Sequence, residues 1–288
     1  MFLINIIAFI LITLFIAIRF DTLMVKAVPV TMSIMVLVLY VLAFFRGLWL
    51  VDAIGVATLL LACIYIVRNR EGRAAVLSAA KEKILSPTFI IFVLFSILMT
   101  AAVWDKLATW WDDINYWATD AKAIYYLSGF AGKYANVAPE FGDYPPGLSL
   151  VKWWFLHMDG RGFNEGLMFA GYYFLLFTFL APLLGLLEKK KLPVTILGSV
   201  LLIFLPCTVE AFWCDGACAD LIMGIIYGQV LISIAGINMP EVLGIRELTA
   251  EEKKWQYVKT TLFLSTMMLC KTTSFIWIIM SFGYSCGK

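Results

Sequence analysis

Charged residues, histidine and cysteine are scarce in this chain. Of its 288 residues only 15% are Asp, Glu, Lys or Arg, one is histidine (His157) and six are cysteine, whereas about 25% of an ordinary soluble domain is charged. One histidine excludes a metal site made of several histidines, and six cysteines are too few for a disulfide scaffold. A net charge of +2 does not suit a nucleic-acid partner. The sequence also has no Gly-rich loop of the kind that binds nucleotide phosphates.

Apolar residues take the place of the missing charge. They make up 62% of the chain, against about 45–50% in soluble proteins. A soluble monomer of this composition would expose contiguous apolar patches that associate, and a disordered chain needs low hydrophobicity. The composition is therefore that of a membrane protein.

Long stretches with one charge or none predict membrane-spanning helices, since a helix needs about 20 residues to cross the hydrocarbon. Eight such stretches occur: 2–18, 27–45, 48–67, 84–104, 166–187, 192–209, 217–237 and 260–284. Three of them hold a single charged residue, which makes that residue a candidate for function: Asp52, Asp220 and Lys271. The predicted fold class is all-α, a polytopic transmembrane helix bundle of about eight spans.

Lysine and arginine lie mostly in alternate loops between these stretches. Fourteen fall on one side and six on the other, although the second side has the longest loop, 105–165. Because cytoplasmic loops carry the excess of positive charge, the first side is predicted to be cytoplasmic. The chain then divides into four spans (1–104), a large extracytoplasmic loop (105–165) and four further spans (166–288). We expect it in a cell membrane, of the bacterial inner-membrane kind.

The large loop is rich in tryptophan. Six of the ten tryptophans lie between Trp104 and Trp154, and this residue is enriched where a membrane meets water. Apolar residues recur at helical spacing from Ile114 to Tyr125, which predicts an amphipathic interfacial helix over 113–128. A loop of this length is functional or disordered, and the composition is not that of disorder. We therefore expect the function to reside here.

Acidic and aromatic side chains are regularly spaced along the predicted helix. Asp112, Tyr116 and Asp120 follow one another at intervals of four residues, which predicts that they share one face. Lys122 lies off that face and suits an anionic group such as a lipid phosphate. The face would therefore present two carboxylates and a phenol beside a cation.

Two further outer segments carry acidic residues. The sequence Gly-Asp-Tyr-Pro-Pro-Gly at 142–147 predicts a rigid turn bearing Asp143 and Tyr144, because its two prolines fix the backbone. The loop before the seventh span and the start of that span add three carboxylates: Glu210, Asp215 and Asp220. Acidic groups from two outer loops are thus expected to converge.

These motifs resemble those of the GT-C glycosyltransferases, multi-pass enzymes that include the protein O-mannosyltransferases and the aminoarabinose transferases of lipid A. Their first large outer loop carries an acidic pair in the pattern Asp-Glu/Asp-x-x-Tyr, then an interfacial helix and a Pro-Pro motif. This chain has Asp-Asp-Ile-Asn-Tyr at 112–116, Ala-Lys-Ala at 121–123 and Tyr-Pro-Pro-Gly at 144–147. Several relatives have Lys before Pro-Pro where Tyr144 stands here, and family members continue for further spans. The chain therefore resembles the amino-terminal part of such an enzyme.

The resemblance implies transfer of a sugar from a polyprenyl-phosphate donor to an acceptor hydroxyl or amine at the extracytoplasmic face. It implies Asp112 and Asp113 as catalytic residues, with Asp112 as the base. The implied substrate-binding residues are Tyr116, Asp120, Lys122, Asp143, Tyr144, Asp220 and Lys271. Lys122 is the first candidate for the lipid phosphate, because Lys271 is expected near mid-membrane. A divalent cation is an open question, since metal dependence varies within the family.

Other interpretations of the same residues stay open at this stage. Asp112 and Asp113 are also of the type that caps helices. Lys122 can be a lysine that snorkels to the interface, and Lys271 can pair with a carboxylate of a neighbouring helix. For the whole protein, the alternatives are a transporter with Asp220 and Lys271 along its pathway, or a non-catalytic assembly subunit of a membrane complex.

Overall fold

The computed structural model describes residues 2–69, 72–130, 144–160, 162–207 and 216–286, and these residues form helices and connections without any strand. The α-helices are α1 (Phe2–Arg19), α2 (Met24–Phe44), α3 (Leu50–Arg68), α4 (Arg73–Ile84), α5 (Pro87–Ala102), α6 (Ala118–Leu127), α7 (Gly147–Met158), α8 (Glu165–Leu184), α9 (Leu192–Cys207), α10 (Ala219–Asn238), α11 (Ala250–Met268) and α12 (Ser274–Cys286). The prediction of an all-α fold is confirmed for this part of the chain.

Several helices begin at side chains that cap them. The Ser86 hydroxyl accepts a hydrogen bond from the Phe89 N–H at the start of α5. The Asn164 side chain accepts one from the Gly166 N–H at the start of α8. Thr249 and Glu252 form a reciprocal capping box at the start of α11. These side chains satisfy backbone N–H groups that have no partner within the helix, and so they fix where the chain turns.

Four helices are long and apolar enough to cross a membrane: α2, α3, α8 with its extension to Leu187, and α10. A fifth span would be formed by α4 and α5 together, although the pair is bent by 58°. α1, α9 and α12 are shorter apolar helices. The described residues therefore support a membrane protein with four or five helices of spanning length, and the count of eight spans stays a prediction.

The predicted span 260–284 is two helices instead of one. α11 ends at Met268 and α12 begins at Ser274, and Lys271 lies in the connection between them. There its ammonium Nζ contacts both carboxylate oxygens of Asp220 at 2.7 and 2.9 Å. A lysine that has this partner at a helix end has no need to lie within the hydrocarbon. Lys271 thus lies in a connection between two helices and not within one continuous helix, and its depth in the membrane stays a prediction.

The bundle is packed around α8, nearly all of whose residues are buried, and α8 contacts α2, α5, α7 and α10. Connections meet at two ends of the bundle. At one end the Gly147 N–H donates to the Leu269 carbonyl at 2.6 Å; we call this the site end. At the opposite end Lys83 pairs with Asp21 at 2.9 Å, and the ring of Phe20 stacks on that of Trp255. The two phosphate candidates, Lys122 and Lys271, belong to segments of the site end.

The loop 105–165 holds a buried helix that the sequence analysis did not separate from its surroundings. This helix, α7, packs between α6 and α8, and nearly all of its residues are buried. Its twelve residues are fewer than the roughly 20 that a span requires. α7 therefore forms a floor beneath α6 at the site end of the bundle.

Candidate functional site

The predicted helix around 113–128 is present, with an irregularity at its start. Asp113–Trp117 forms a π-turn that leads directly into α6, and Ser128 ends the helix in a left-handed conformation with φ 52°. The π-turn holds more residues per turn than an α-helix, so it rotates the side chains before it relative to those after it. Asp112 is consequently exposed, whereas Tyr116 is only 3% exposed. Asp112 and Tyr116 thus differ in burial, although they were predicted to share one face with Asp120.

Asp113 is the most deeply buried carboxylate of this segment. It is 1% exposed, and neither of its oxygens accepts a hydrogen bond of normal geometry from the described residues. Burial raises the pKa of Asp113, while the charge of Lys152 and the nearby amide of Ala217 act to lower it. A buried oxygen without a partner costs free energy. Asp113 is therefore a candidate to contact a ligand.

Lys152, on α7, is the buried cation beneath Asp113. Its side chain is fully buried, and Nζ donates to the Trp117 carbonyl at 3.4 Å and lies 5.4 Å from the centre of the Trp117 ring. Burial lowers the pKa of Lys152 to about 8, against the opposing charges of Asp113 and Asp120. The cation thus offsets part of the negative charge that the π-turn and α6 bring into the interior.

Asp120 lies one turn further along, in α6. Burial raises its pKa, and the nearby Ser149 hydroxyl and Lys152 act to lower it. The buried Asp120 Oδ2 and the Ser149 hydroxyl both have no hydrogen bond of normal geometry within the described part of the chain. Asp113, Asp120, Ser149 and Lys152 therefore form a buried polar seam between the π-turn, α6 and α7.

A cleft opens beside Asp113 at the site end. It has a volume of about 140 Å³. Its lining residues are Trp110, Trp111, Asp112, Asp113, Gly216 and Cys218. The Asp112 side chain makes no capping hydrogen bond, and its Oδ2 instead faces the Cys218 thiol at 4.0 Å. Asp112 is thus available to a molecule in the cleft, and the capping interpretation of this residue is not supported.

Three aromatic rings join the helix to the Pro-Pro turn. The Tyr116 hydroxyl donates to the Tyr144 carbonyl at 3.0 Å, and the Tyr144 ring lies 5.0 Å from the Tyr116 ring and 5.7 Å from the Trp117 ring. On its other side, Lys271 Nζ lies 6.0 Å from the Tyr144 ring. Tyr116 and Tyr144 therefore position segments of the site, and they link the π-turn to the connection between α11 and α12.

The pair of Lys271 and Asp220 stands at the start of α10. Asp220 is in the first turn of that helix, two residues after Cys218, whose thiol faces Asp112. The side chains of Lys271 and Asp220 are 17% and 59% exposed. The contacts from Asp112 through Cys218 to Asp220 and Lys271 are thus continuous, and they bring together three residues that the sequence predicted separately.

One of the predicted site residues, Lys122, stands apart from this group. Lys122 is exposed, and its Nζ lies 5.4 Å from the Phe163 ring; within the described ranges it contacts none of the carboxylates. Asp143 lies outside the described residues, as do Glu210 and Asp215. The convergence of acidic loops is thus seen for Asp112, Asp113 and Asp220 only.

The side chains of this end do not form a cation site of the usual composition. Within the described part of the chain, no three Asp, Glu, His or Cys residues stand together as metal ligands. Divalent cations such as Mg²⁺ or Ca²⁺ take several oxygen ligands. The described residues therefore do not offer the ligand set of a resident divalent cation.

Lys152 and Cys218 were not identified from the sequence. A signal for Lys152 exists, because it is the one charge in the apolar run Leu-Ser-Leu-Val-Lys-Trp-Trp-Phe-Leu at 148–156. A lysine within such a run is either exposed at an interface or buried beside a carboxylate. For Cys218 no signal exists in the sequence, since its proximity to Asp112 depends on how two distant segments pack.

A second polar group at the site end surrounds the single histidine. His157 Nε2 lies 3.0 Å from Asp52 Oδ2, and the Asn5 amide donates to Asp52 Oδ1 at 2.7 Å. The imidazole stacks on the Trp153 ring with 4.6 Å between centres. Asp52, the single charge of the third predicted span, thus ties α1 and α3 to α7 and supports the floor of the site.

Comparison of the chain with the models of known protein families, with curated proteins and with solved structures finds no match.

Proposed function

We propose that the chain acts as a membrane glycosyltransferase that moves a sugar from a polyprenyl-phosphate donor to an acceptor at the extracytoplasmic face of a cell membrane. The observation that carries the proposal is the adjacent pair of Asp112, exposed at the cleft, and Asp113, buried beside it with no hydrogen bond of normal geometry from the described residues. Paired carboxylates of unequal environment suit acid–base chemistry, because the surroundings separate their pKa values.

In the proposed reaction Asp112 is the base. Its carboxylate takes the proton of the acceptor while the acceptor atom bonds to the anomeric carbon of the sugar. The bond from that carbon to the phosphate oxygen breaks, and the polyprenyl phosphate leaves with the electron pair. Asp113 holds the acceptor beside Asp112. Charge on the departing phosphate is stabilised by a cation.

Lys271 is the better placed of the two phosphate candidates. It is bound to the start of α10, two residues from Cys218, whereas Lys122 contacts the Phe163 ring. The positive end of the α10 dipole adds to the attraction for an anion at this position. We therefore assign the lipid phosphate to Lys271. The transporter alternative is less favoured, because Asp220 and Lys271 pair with each other at helix ends.

The test is transfer by membranes that contain the protein, supplied with a panel of radiolabelled polyprenyl-phosphate hexoses and pentoses. We expect Asp112→Asn to lower transfer on the order of 100-fold or more, the contribution of a general base. Asp21→Asn is the matched control, since Asp21 is an exposed carboxylate at the opposite end. Transfer that persists in Asp112→Asn removes the assigned base, and a wild-type protein inert toward the whole panel argues against the enzyme.

A further inference from the structure

The cleft beside Asp113 presents negative charge without a cation in its lining. The lining contains two carboxylates, those of Asp112 and Asp113. Lys152 lies near Asp113 on the side of α7 and is not a lining residue. An anion entering the cleft would meet two carboxylates. The phosphate of a donor therefore belongs outside it, near Lys271, and the cleft itself suits a positively charged or donor-rich group.

Asp113 gives a reason for such a group to bind. It is 1% exposed, and its two oxygens accept no hydrogen bond of normal geometry from the described residues, although the Ala217 amide and Lys152 lie nearby. An ammonium has three N–H donors and the opposite charge, so it satisfies both the hydrogen bonding and the charge of this carboxylate. A neutral hydroxyl offers one donor and no charge.

Two indoles also line the cleft, together with Gly216 and Cys218. Trp110 and Trp111 are 42% and 59% exposed, and they reach the cleft together with the carboxylates. Indole is the aromatic side chain that attracts ammonium groups most strongly, and aromatic walls beside carboxylates recur where proteins recognise organic cations. The volume of about 140 Å³ suits one small polar head group.

We propose that this cleft binds the ammonium group of an amine-bearing molecule, of the chemical class of amino sugars and other primary amines, between the Trp110 and Trp111 indoles and the Asp112 and Asp113 carboxylates. The assignment of this amine to a substrate rests on the proposed function. Binding of the ammonium itself depends only on the cleft.

The test is direct binding of glucosamine and N-acetylglucosamine to the purified, detergent-solubilised protein by titration calorimetry, at a slightly acid pH where the free amine is protonated. The two sugars share one ring, and acetylation removes the charge. We expect glucosamine to bind at least tenfold more tightly than N-acetylglucosamine. Asp113→Asn and, separately, Asp112→Asn should each weaken glucosamine binding at least tenfold, whereas Asp21→Asn leaves it unchanged.

The two variants also distinguish a loss of binding from a loss of folding. Asp112 is exposed, so its substitution is expected to leave the thermal midpoint unchanged, and Asp112→Asn keeps the test valid if Asp113→Asn fails to fold. Equal binding of both sugars, glucosamine binding unaffected in Asp112→Asn, or no glucosamine binding at all would each overturn the ammonium site. If glucosamine binds but no sugar is transferred, the proposed function is contradicted and the ammonium site stands. If sugar is transferred but glucosamine binds no more tightly than N-acetylglucosamine, this inference is contradicted and the proposed function stands.

Discussion

At the scale of single residues, Lys152 is the group on which the electrostatics of the site depend. An ammonium that is fully buried pays a large desolvation cost, and it is retained only where charges or hydrogen bonds offset that cost. Here the offsetting groups are Asp113, Asp120 and the Trp117 carbonyl. The charge of Lys152 in turn acts to lower the pKa values of the two carboxylates, against the burial that raises them.

The pKa of Lys152 predicts how its burial affects stability as pH changes. Burial lowers this pKa from 10.5 to about 8. Between these values the unfolded chain binds more protons than the native protein, so the free energy of unfolding rises with pH through this window. The charged lysine imposes its full cost below about pH 8. We expect the wild type to gain up to about 3 kcal/mol relative to Lys152→Met across the window.

Thermal or denaturant unfolding in detergent, measured across that pH range, checks the expected gain. Lys254→Met is the matched control because Lys254 is exposed, and its curve should run parallel to that of the wild type. If the free energy of unfolding of Lys152→Met also changes with pH in parallel with that of the wild type, the pKa of Lys152 is not lowered by burial.

At the scale of elements, the site is held together by the connection between α11 and α12. This connection lies against the start of α7, where the Gly147 N–H donates to the Leu269 carbonyl at 2.6 Å. It also brings Lys271 to Asp220 and to the Tyr144 ring. The close approach requires glycine, since a Cβ at position 147 would lie 2.5 Å from the Leu269 carbonyl oxygen.

Replacing this glycine should separate the two elements. We expect Gly147→Ala to lower the free energy of unfolding by about 1–3 kcal/mol, the usual cost of forcing extra volume into a packed contact. It should also reduce sugar transfer, because Lys271 moves with the connection. Gly224→Ala in α10 is the control: its Cβ would meet nothing within 4 Å, and alanine favours a helix. A Gly147→Ala protein as stable as the wild type would show that the contact is looser than described.

At the scale of the whole molecule, the sequence predicts the helices better than it predicts their meeting points. Long apolar runs mark α2, α8 and α10, because membrane helices have to be apolar along most of their length. Hydropathy does not place Lys271, since its partner Asp220 lies 51 residues away. Periodicity likewise assumes a regular helix, so the π-turn at 113–117 displaced the expected face of Asp112. Asp113 was predicted as catalytic from its motif, whereas its burial over Lys152 depends on the folding of α7.

The two ends of the bundle predict how the protein lies in its membrane. The excess of lysine and arginine falls in the loops of the opposite end, so the site end should be extracytoplasmic. In a variant whose six cysteines are replaced by alanine, we introduce one cysteine at an exposed leucine of either end. These are Leu107→Cys at the site end, where the leucine is 64% exposed, and Leu186→Cys at the opposite end, where it is 68% exposed.

A membrane-impermeant maleimide applied to intact cells then reports the orientation. We expect it to label Leu107→Cys at once and Leu186→Cys only after the membrane is permeabilised. Because the donor phosphate, the acceptor and the base have to meet on one side, the orientation bears on the chemistry as well as on the topology. The reverse pattern of labelling would place Asp112 and Asp113 in the cytoplasm, and it would remove the polyprenyl-phosphate donor of the extracytoplasmic leaflet from their reach.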